Sequence, residues 1–105
     1  MASAPDMRDR NDMTLWAADL MLDDLLRRAA DWSSRPEGEQ LDFFLEWEEL
    51  MDRLTGVAED ERAGHLIDGQ SERLAQLAAR LAAARSVIER LGLDYPDLGQ
   101  LSLAS

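Results

Sequence analysis

The sequence predicts an all-α protein, an antiparallel bundle of three helices, or of four if glycines interrupt the last one. Two observations lead to this prediction. Leucine and alanine greatly outnumber the β-branched apolar residues, a bias that favours helices over strands. Apolar residues also recur at intervals of three and four along the chain, which is the periodicity of helices packed along one seam. The β-branched apolar residues are only Val57, Ile67, Val87 and Ile88.

The first helix is predicted to begin near Asp12 or Thr14, because either side chain can accept hydrogen bonds from the free N–H groups of a first helical turn. Residues 1–11 are polar and of mixed charge, and we expect them to be a mobile lead-in. The helix then follows a core-facing stripe in which apolar residues alternate between intervals of three and four. The stripe consists of Leu15, Ala18, Leu22, Leu25, Ala29 and Trp32.

The second helix is predicted over Glu37 to Thr55, with Gly56 as its left-handed terminator. At about 100° per residue, its apolar side chains fall within one arc of about 120°. They are expected to form the aromatic centre of the core. This stripe consists of Phe43, Phe44, Trp47, Leu50, Met51 and Leu54.

The remaining chain predicts one long, kinked helix over residues 57–91, with Gly64 and Gly69 as the points where it could instead break in two. Its stripe repeats the spacing of the first helix through Leu74, Leu77, Leu81, Ala84, Ile88 and Leu91. We expect residues 93–105 to be a flexible tail, although Leu93, Tyr95 and Leu98 could fold back onto the bundle. The whole chain, 1–105, then forms a single domain whose ordered core covers about 12–92.

Charge and composition narrow the functions to consider. The chain has 105 residues with 22 acidic side chains, 11 arginines and no lysine, and its formal charge is −11. Such acidity disfavours direct binding to nucleic acid or to an anionic membrane. The absence of cysteine excludes disulfides and thiolate metal sites. The first residues do not resemble a signal peptide and no apolar run could span a membrane, so we expect a cytoplasmic protein.

Most of the negative charge lies in the middle of the chain. Residues 37–69 carry 11 acidic side chains and 2 arginines. Asp42, Glu46, Glu49 and Asp52 project from the second helix on the side away from its aromatic stripe, and Glu49 can pair with Arg53 one turn later. The last helix is mildly basic. Its arginines suggest either pairing with the acidic segment inside the molecule or a separate charged docking face.

Two pairs of large apolar residues do not belong to any core stripe. Trp16 and Leu20 lie off the stripe of the first helix, and Leu41 and Leu45 lie among the carboxylates of the second. Apolar pairs one turn apart on a polar face can mark a contact with a partner. The alternative is that another helix of the same chain covers them.

The sequence offers little support for catalysis or for a cofactor. His65 is the only histidine, and Glu61 would share a helix face with it, with Asp68 close by. A helical di-metal site needs a Glu-x-x-His pair on each of two helices. The segment from Glu46 to Asp52 invites comparison with magnesium-dependent nucleotide hydrolysis, but the last helix lacks a second acidic motif. The glycines are isolated, so no phosphate-binding loop is present.

The helix layout over Leu25–Leu91 is similar in pattern to the small helical chaperones of flagellar and type III export. The similarity includes Ala29-Ala30-Asp31-Trp32 and the segment from Glu72 to Leu77. This resemblance implies an antiparallel helical hairpin with a long final helix and a mobile tail.

These observations lead to the hypothesis of a non-enzymatic helical protein-binding module, such as an adaptor, assembly factor or chaperone. It would dock a protein partner with a basic surface through an acidic face and apolar anchors. The thin, alanine-rich last helix also suggests homodimerisation. One alternative is an acidic mimic of DNA that inhibits a nucleic-acid-binding protein; another is a carboxylate-based metal-binding or nucleotide-hydrolysing enzyme. The residues expected to bind the partner are Trp16, Leu20, Asp42, Glu46 and Glu49.

Overall fold

The computed structural model describes residues 3–67, 69–96 and 98, with side chains described from Arg10 onward. It confirms the all-helical fold, with three main helices packed together. The helices are α1 (Ser3–Arg28), α2 (Glu37–Arg62), α3 (Gln70–Ala83) and the short α4 (Arg85–Arg90), and a 3-10 helix, Ala29–Ser34, links α1 to α2.

Helix α1 begins at Ser3 and not at the predicted Asp12 or Thr14. Pro5 does not prevent this early start, since a proline in the first turn lacks an N–H that would have no partner within the helix anyway. The predicted core stripe is confirmed over Leu15, Ala18, Leu22 and Leu25, which are all buried. Trp32 packs against the same core from the 3-10 helix, where it is only partly buried.

Helix α2 continues to Arg62, so the prediction that it ends at Gly56 is wrong. A glycine inside a helix costs about 1 kcal/mol relative to alanine. Here the cost is offset because the next two residues, Val57 and Ala58, are fully packed in the core. The buried stripe of α2 therefore extends about one turn beyond Leu54, where the predicted stripe ends.

The chain reverses between α2 and α3, and the prediction of one long helix over 57–91 is also wrong. Gly64 and Gly69 have φ angles of 77° and 88°, in the left-handed region that favours glycine. They flank the connection that turns α3 back along the bundle. The predicted alternative, a break at these two glycines, is therefore the one that the structure shows. Ile67 therefore does not extend the stripe of the last helix and is partly exposed.

Trp47 lies at the centre of the core with none of its surface exposed. Its ring is stacked near that of Phe43, with centroids 6.2 Å apart, and Phe43 meets Trp32 edge to face at 5.6 Å. The predicted stripes of α2 and of the last helix are confirmed as parts of this core, although Phe44 and Leu91 are only partly buried. The buried members of the last helix are Leu74, Leu77, Leu81, Ala84 and Ile88, with a break at Ala84 that separates α3 from α4.

The first part of the predicted flexible tail folds back onto the bundle. Leu93, Pro96 and Leu98 are buried, and the indole N–H of Trp47 donates a hydrogen bond of 2.7 Å to the carbonyl oxygen of Asp94. Arg85 lies over the ring of Tyr95, 4.4 Å from its centroid. The prediction for residues 99–105 concerns a segment outside the described residues.

Candidate interaction surface

The arginines of α3 pair inside the molecule, and their partners lie on α1. Arg80 donates hydrogen bonds of 2.6 Å to both Asp19 and Asp23, and these bonds raise the pKa of its guanidinium. Arg73 pairs with Asp12 at 3.3 Å. The predicted alternative that these arginines pair with the acidic segment of the second helix is therefore wrong for Arg73 and Arg80, because they pair with aspartates of α1. The carboxylates of α2 are left to other partners.

The carboxylates of α2 are only partly neutralised. At its amino-terminal end, Glu39 accepts hydrogen bonds from Arg28 and Arg35. Further along, the predicted pair of Glu49 with Arg53 is present at 3.0 Å. Within the described part of the chain no ion pair involves Asp42 or Glu46, and both are exposed.

Asp42, Glu46 and Glu49 form what we call the acidic row. They lie about one helical turn apart along the side of α2 that borders α1. Two residues of α2 on this side show that it borders α1. Glu39 accepts a hydrogen bond from Arg28 of α1, and Arg53 lines a groove together with Met13 of α1. Asp52, predicted with this group, is turned further toward the outer face of α2.

The antiparallel packing of α1 and α2 brings the predicted apolar and acidic residues to one side of the molecule. The contact of Arg28 with Glu39 marks one end of the helix pair, and the groove shared by Met13 and Arg53 lies toward the other. Leu20 lies between these two points. Because both helices rise by the same distance per residue, it lies at about the same height along the helix pair as Glu46 and Glu49. Trp16 is the predicted residue furthest from the row, since it lines a smaller cleft with Asp12 and Arg73.

Three large apolar side chains lie along the outward face of α1. Met13, Trp16 and Leu20 are 62%, 54% and 47% exposed, and their spacing places them within about 60° of one another around the helix. Met13 was not among the predicted binding residues, because the helix was predicted to start near it. Since α1 begins at Ser3, Met13 lies within the helix, and its spacing to Trp16 and Leu20 places all three on one face.

Leu41 and Leu45 lie on the outer face of α2, beside the acidic row, and each is more than half exposed. The alternative that another helix of this chain covers the off-stripe apolar residues is therefore wrong for these two and for Trp16 and Leu20. The acidic row is therefore bordered by exposed leucines on its outer side.

A groove of about 640 Å³ separates the first half of α1 from the second half of α2. Its apolar lining includes Met13, Ala17 and Val57, and Arg53 and Asp60 contribute charged groups. Gly56 also lines it and leaves open space where a larger residue would project. The groove lies further along α2 than the acidic row, and none of the three residues of the row lines it.

Glu48 differs from the other carboxylates of α2. Partial desolvation, a hydrogen bond shared with the carboxyl group of Asp94, and repulsion by Asp94 and Asp52 raise the pKa of Glu48 above its ordinary value of 4.5. A carboxyl group with a raised pKa favours the folded state when protonated, and this contribution is lost as the pH rises through the pKa in the folded protein.

Replacing Glu48 by Gln is therefore expected to stabilise the protein near neutral pH, because the amide keeps a donor for Asp94 without adding charge. At about pH 4 the gain should vanish, since Glu48 is then largely protonated in the native protein. Urea unfolding midpoints at the two pH values test this expectation. Glu72→Gln, on α3, removes the same charge and is the control; an equal gain from it would show that only net charge matters.

The structure does not bring the candidate metal ligands onto one helix face. Glu61 is in the last turn of α2, whereas His65 lies exposed in the connection after it, and Asp68 lies outside the described residues. Among the residues that are described, no three histidine or acidic side chains come together as a metal site would require. None of the described helices is long and apolar enough to cross a membrane.

Comparison with known proteins gives no match. No protein-family model fits the chain, and no curated protein or solved structure is significantly similar to it. The structure defines the class of protein as a small helical bundle.

Proposed function

We propose that this chain is a non-enzymatic protein-binding module whose partner has a basic surface and docks on the side formed by α1 and α2. The observation that supports this most is the pairing of Arg80 with α1. Because the arginines of α3 are occupied there, Asp42 and Glu46 of the acidic row keep their charge. The exposed Leu20 and Leu45 beside the row supply apolar contact area.

Binding would combine two physical effects. The acidic row accelerates encounter with a basic partner and fixes its orientation, an effect that salt weakens. The exposed apolar side chains then provide the burial that slows dissociation. Trp16 can contribute in the same way, since tryptophan is enriched among the residues that dominate interface energies.

The exposed leucines favour an ordinary protein-docking surface over a surface that imitates DNA. A decoy for a DNA-binding protein needs carboxylates spaced like phosphates over a long surface. Here the acidic row spans only about two turns of one helix. The exposed leucines beside it offer apolar contacts that a phosphate backbone does not make.

The proposal is tested by crosslinking in the native host from a photoreactive residue at position 45, followed by mass spectrometry. Comparison of two charge variants makes the test specific. The double variant Glu46→Gln, Glu49→Gln removes one carboxylate without an ion pair and one paired with an arginine a turn away. The matched control, Glu72→Gln with Glu89→Gln, removes one exposed carboxylate and one paired with Arg85 at the same 3.0 Å.

The row variant is expected to lower the affinity for the crosslinked partner by about tenfold at low salt and to flatten its salt dependence. The control variant has the same net charge and should change the affinity much less. Equal effects from the two variants would rule out a specific acidic docking surface, as would no effect from either.

A further inference from the structure

We propose that residues 93–98 form a strap along α2 that opens and closes with pH, and that the neighbouring carboxyl groups of Glu48 and Asp94 control it. This inference does not depend on the proposed partner and concerns a different flank of α2. It rests on the few polar contacts that hold the strap, on the hinge that precedes it, and on the charges that its docking brings together.

The strap is held by apolar side chains and by two side-chain donors of α2. The indole N–H of Trp47 donates a hydrogen bond of 2.7 Å to the carbonyl oxygen of Asp94, and Arg62 donates one of 3.1 Å to that of Leu98. After the bond from the N–H of Leu93 to Ile88, no backbone-to-backbone hydrogen bond ties the described strap residues to the helices. The buried side chains of the strap are Leu93, Pro96 and Leu98.

A glycine hinge precedes the strap. Gly92 follows α4 and has a φ angle of 76°, in the left-handed region that favours glycine. The described residues of the strap belong to no helix or strand. A segment with so few backbone hydrogen bonds can leave the surface while the helices stay packed, which is a local opening and not unfolding.

Docking of the strap brings two carboxyl groups together. Glu48 follows Trp47 on α2, so the hydrogen bond of Trp47 to the Asp94 backbone holds Asp94 beside Glu48. The two carboxyl groups share a hydrogen bond, which requires a proton on one of them. Asp52, one turn further along α2, adds a second repelling charge. Within the described part of the chain, none of these three carboxyl groups takes part in an ion pair with an arginine.

The other charged groups around the strap are engaged elsewhere. On α4, Arg85 lies over the ring of Tyr95 and pairs with Glu89 at 3.0 Å. Arg62 contacts the backbone of the strap. Partial desolvation and the neighbouring carboxyl groups therefore raise the pKa of Glu48, and its protonation favours the closed strap. This contribution is lost as the pH rises through the raised pKa, so the strap opens more often at neutral pH.

Hydrogen exchange of the Trp47 indole N–H, followed by NMR in the full chain, measures the opening, because the bond to Asp94 shields this group in the closed state. Trp16 is 54% exposed, and its indole gives the unprotected rate at each pH in the same sample. The backbone amides of Leu22 and Leu77, which are buried on α1 and α3, report opening of the whole bundle.

Protection of the Trp47 indole is expected to rise about threefold from pH 7 to pH 5, and to stay at least about tenfold below that of the two core amides. Glu48→Gln should remove most of this pH dependence and give high protection already at pH 7. Asp94→Asn should do the same, because it keeps the carbonyl oxygen that Trp47 binds.

Glu46→Gln is the matched control. It removes an exposed carboxylate of α2 that has no ion pair within the described residues, and it lies about 160° around the helix from Glu48. This variant should keep the pH dependence of the original chain. Asp97, which lies outside the described residues, is unchanged in every variant, so the comparison isolates the effect of Glu48 and Asp94.

The inference is overturned if the Trp47 indole exchanges as slowly as the core amides, since the strap would then leave only when the bundle unfolds. It is equally overturned if the pH dependence survives in Glu48→Gln and Asp94→Asn, or if Glu46→Gln removes it to the same extent. Loss of the pH dependence in the first two variants alone supports the strap and its control by the two carboxyl groups.

Discussion

Replacing Trp47 by Ala is expected to lower the free energy of unfolding by about 3–5 kcal/mol, the usual cost of removing a large aromatic side chain from a core. Trp47 is completely buried, its ring stacks near Phe43, and its indole N–H binds the carbonyl oxygen of Asp94 at 2.7 Å. Domains of this size are stable by only about 5–15 kcal/mol, so the variant should lose a large part of its stability. Urea unfolding followed by far-ultraviolet circular dichroism measures the loss.

Trp16→Ala is the matched control, because it removes the same side chain from a position that is 54% exposed. A surface substitution of this kind usually changes stability by about 0.5 kcal/mol or less. If Trp16→Ala cost as much as Trp47→Ala, Trp16 would be covered in solution. The proposed interaction surface would then lose one of its apolar residues.

The core could be predicted from the sequence because burial follows helical periodicity directly. The stripe from Phe43 to Leu54 is a local pattern, and any compact bundle must turn it inward. The same holds for Leu74, Leu77 and Leu81 on α3. In these segments helix propensity, spacing and the resulting burial all agree, which is the condition under which prediction from one sequence works best.

The helix ends were harder to predict because the local signals conflict with tertiary packing. Gly56 and Gly64 are equally plausible terminators when only their neighbours in sequence are considered. The choice between them depends on whether Val57 and Ala58 find a place in the core. That place is formed by other helices, whose positions the spacing on α2 does not specify.

The candidate surface was predicted in part. Helical periodicity alone indicated that Glu46 and Leu20 lie off the core stripes, and the structure shows both exposed. Which helix receives Arg80 depends on the arrangement of three helices around the core, and no spacing within α3 encodes it. The pairing of Arg80 with Asp19 and Asp23 was therefore beyond the sequence, although it decides where the unbalanced charge remains.

Replacing both Leu93 and Leu98 by Ala is expected to lower the free energy of unfolding by about 3 kcal/mol. This is less than the cost of truncating two fully enclosed leucines, because a surface segment can collapse into part of the space that the side chains leave. Both leucines are buried, and the chain between them supplies the acceptor for Trp47. Arg62 adds a hydrogen bond of 3.1 Å to the carbonyl oxygen of Leu98. Urea unfolding gives the loss, and the change in the near-ultraviolet circular dichroism, to which the enclosed Trp47 contributes, reports whether the segment stays docked.

The matched control is the pair Leu26→Ala and Leu41→Ala, which removes the same atoms from two exposed positions. It should change stability by less than about 1 kcal/mol in total. If the Leu93 and Leu98 pair were equally mild, residues 93–98 would be a loosely held tail, as the sequence first suggested, and Trp47 would have to satisfy its indole N–H with water. A large difference would instead make this segment the closing layer of the core, because only docked leucines lose contacts when they are shortened.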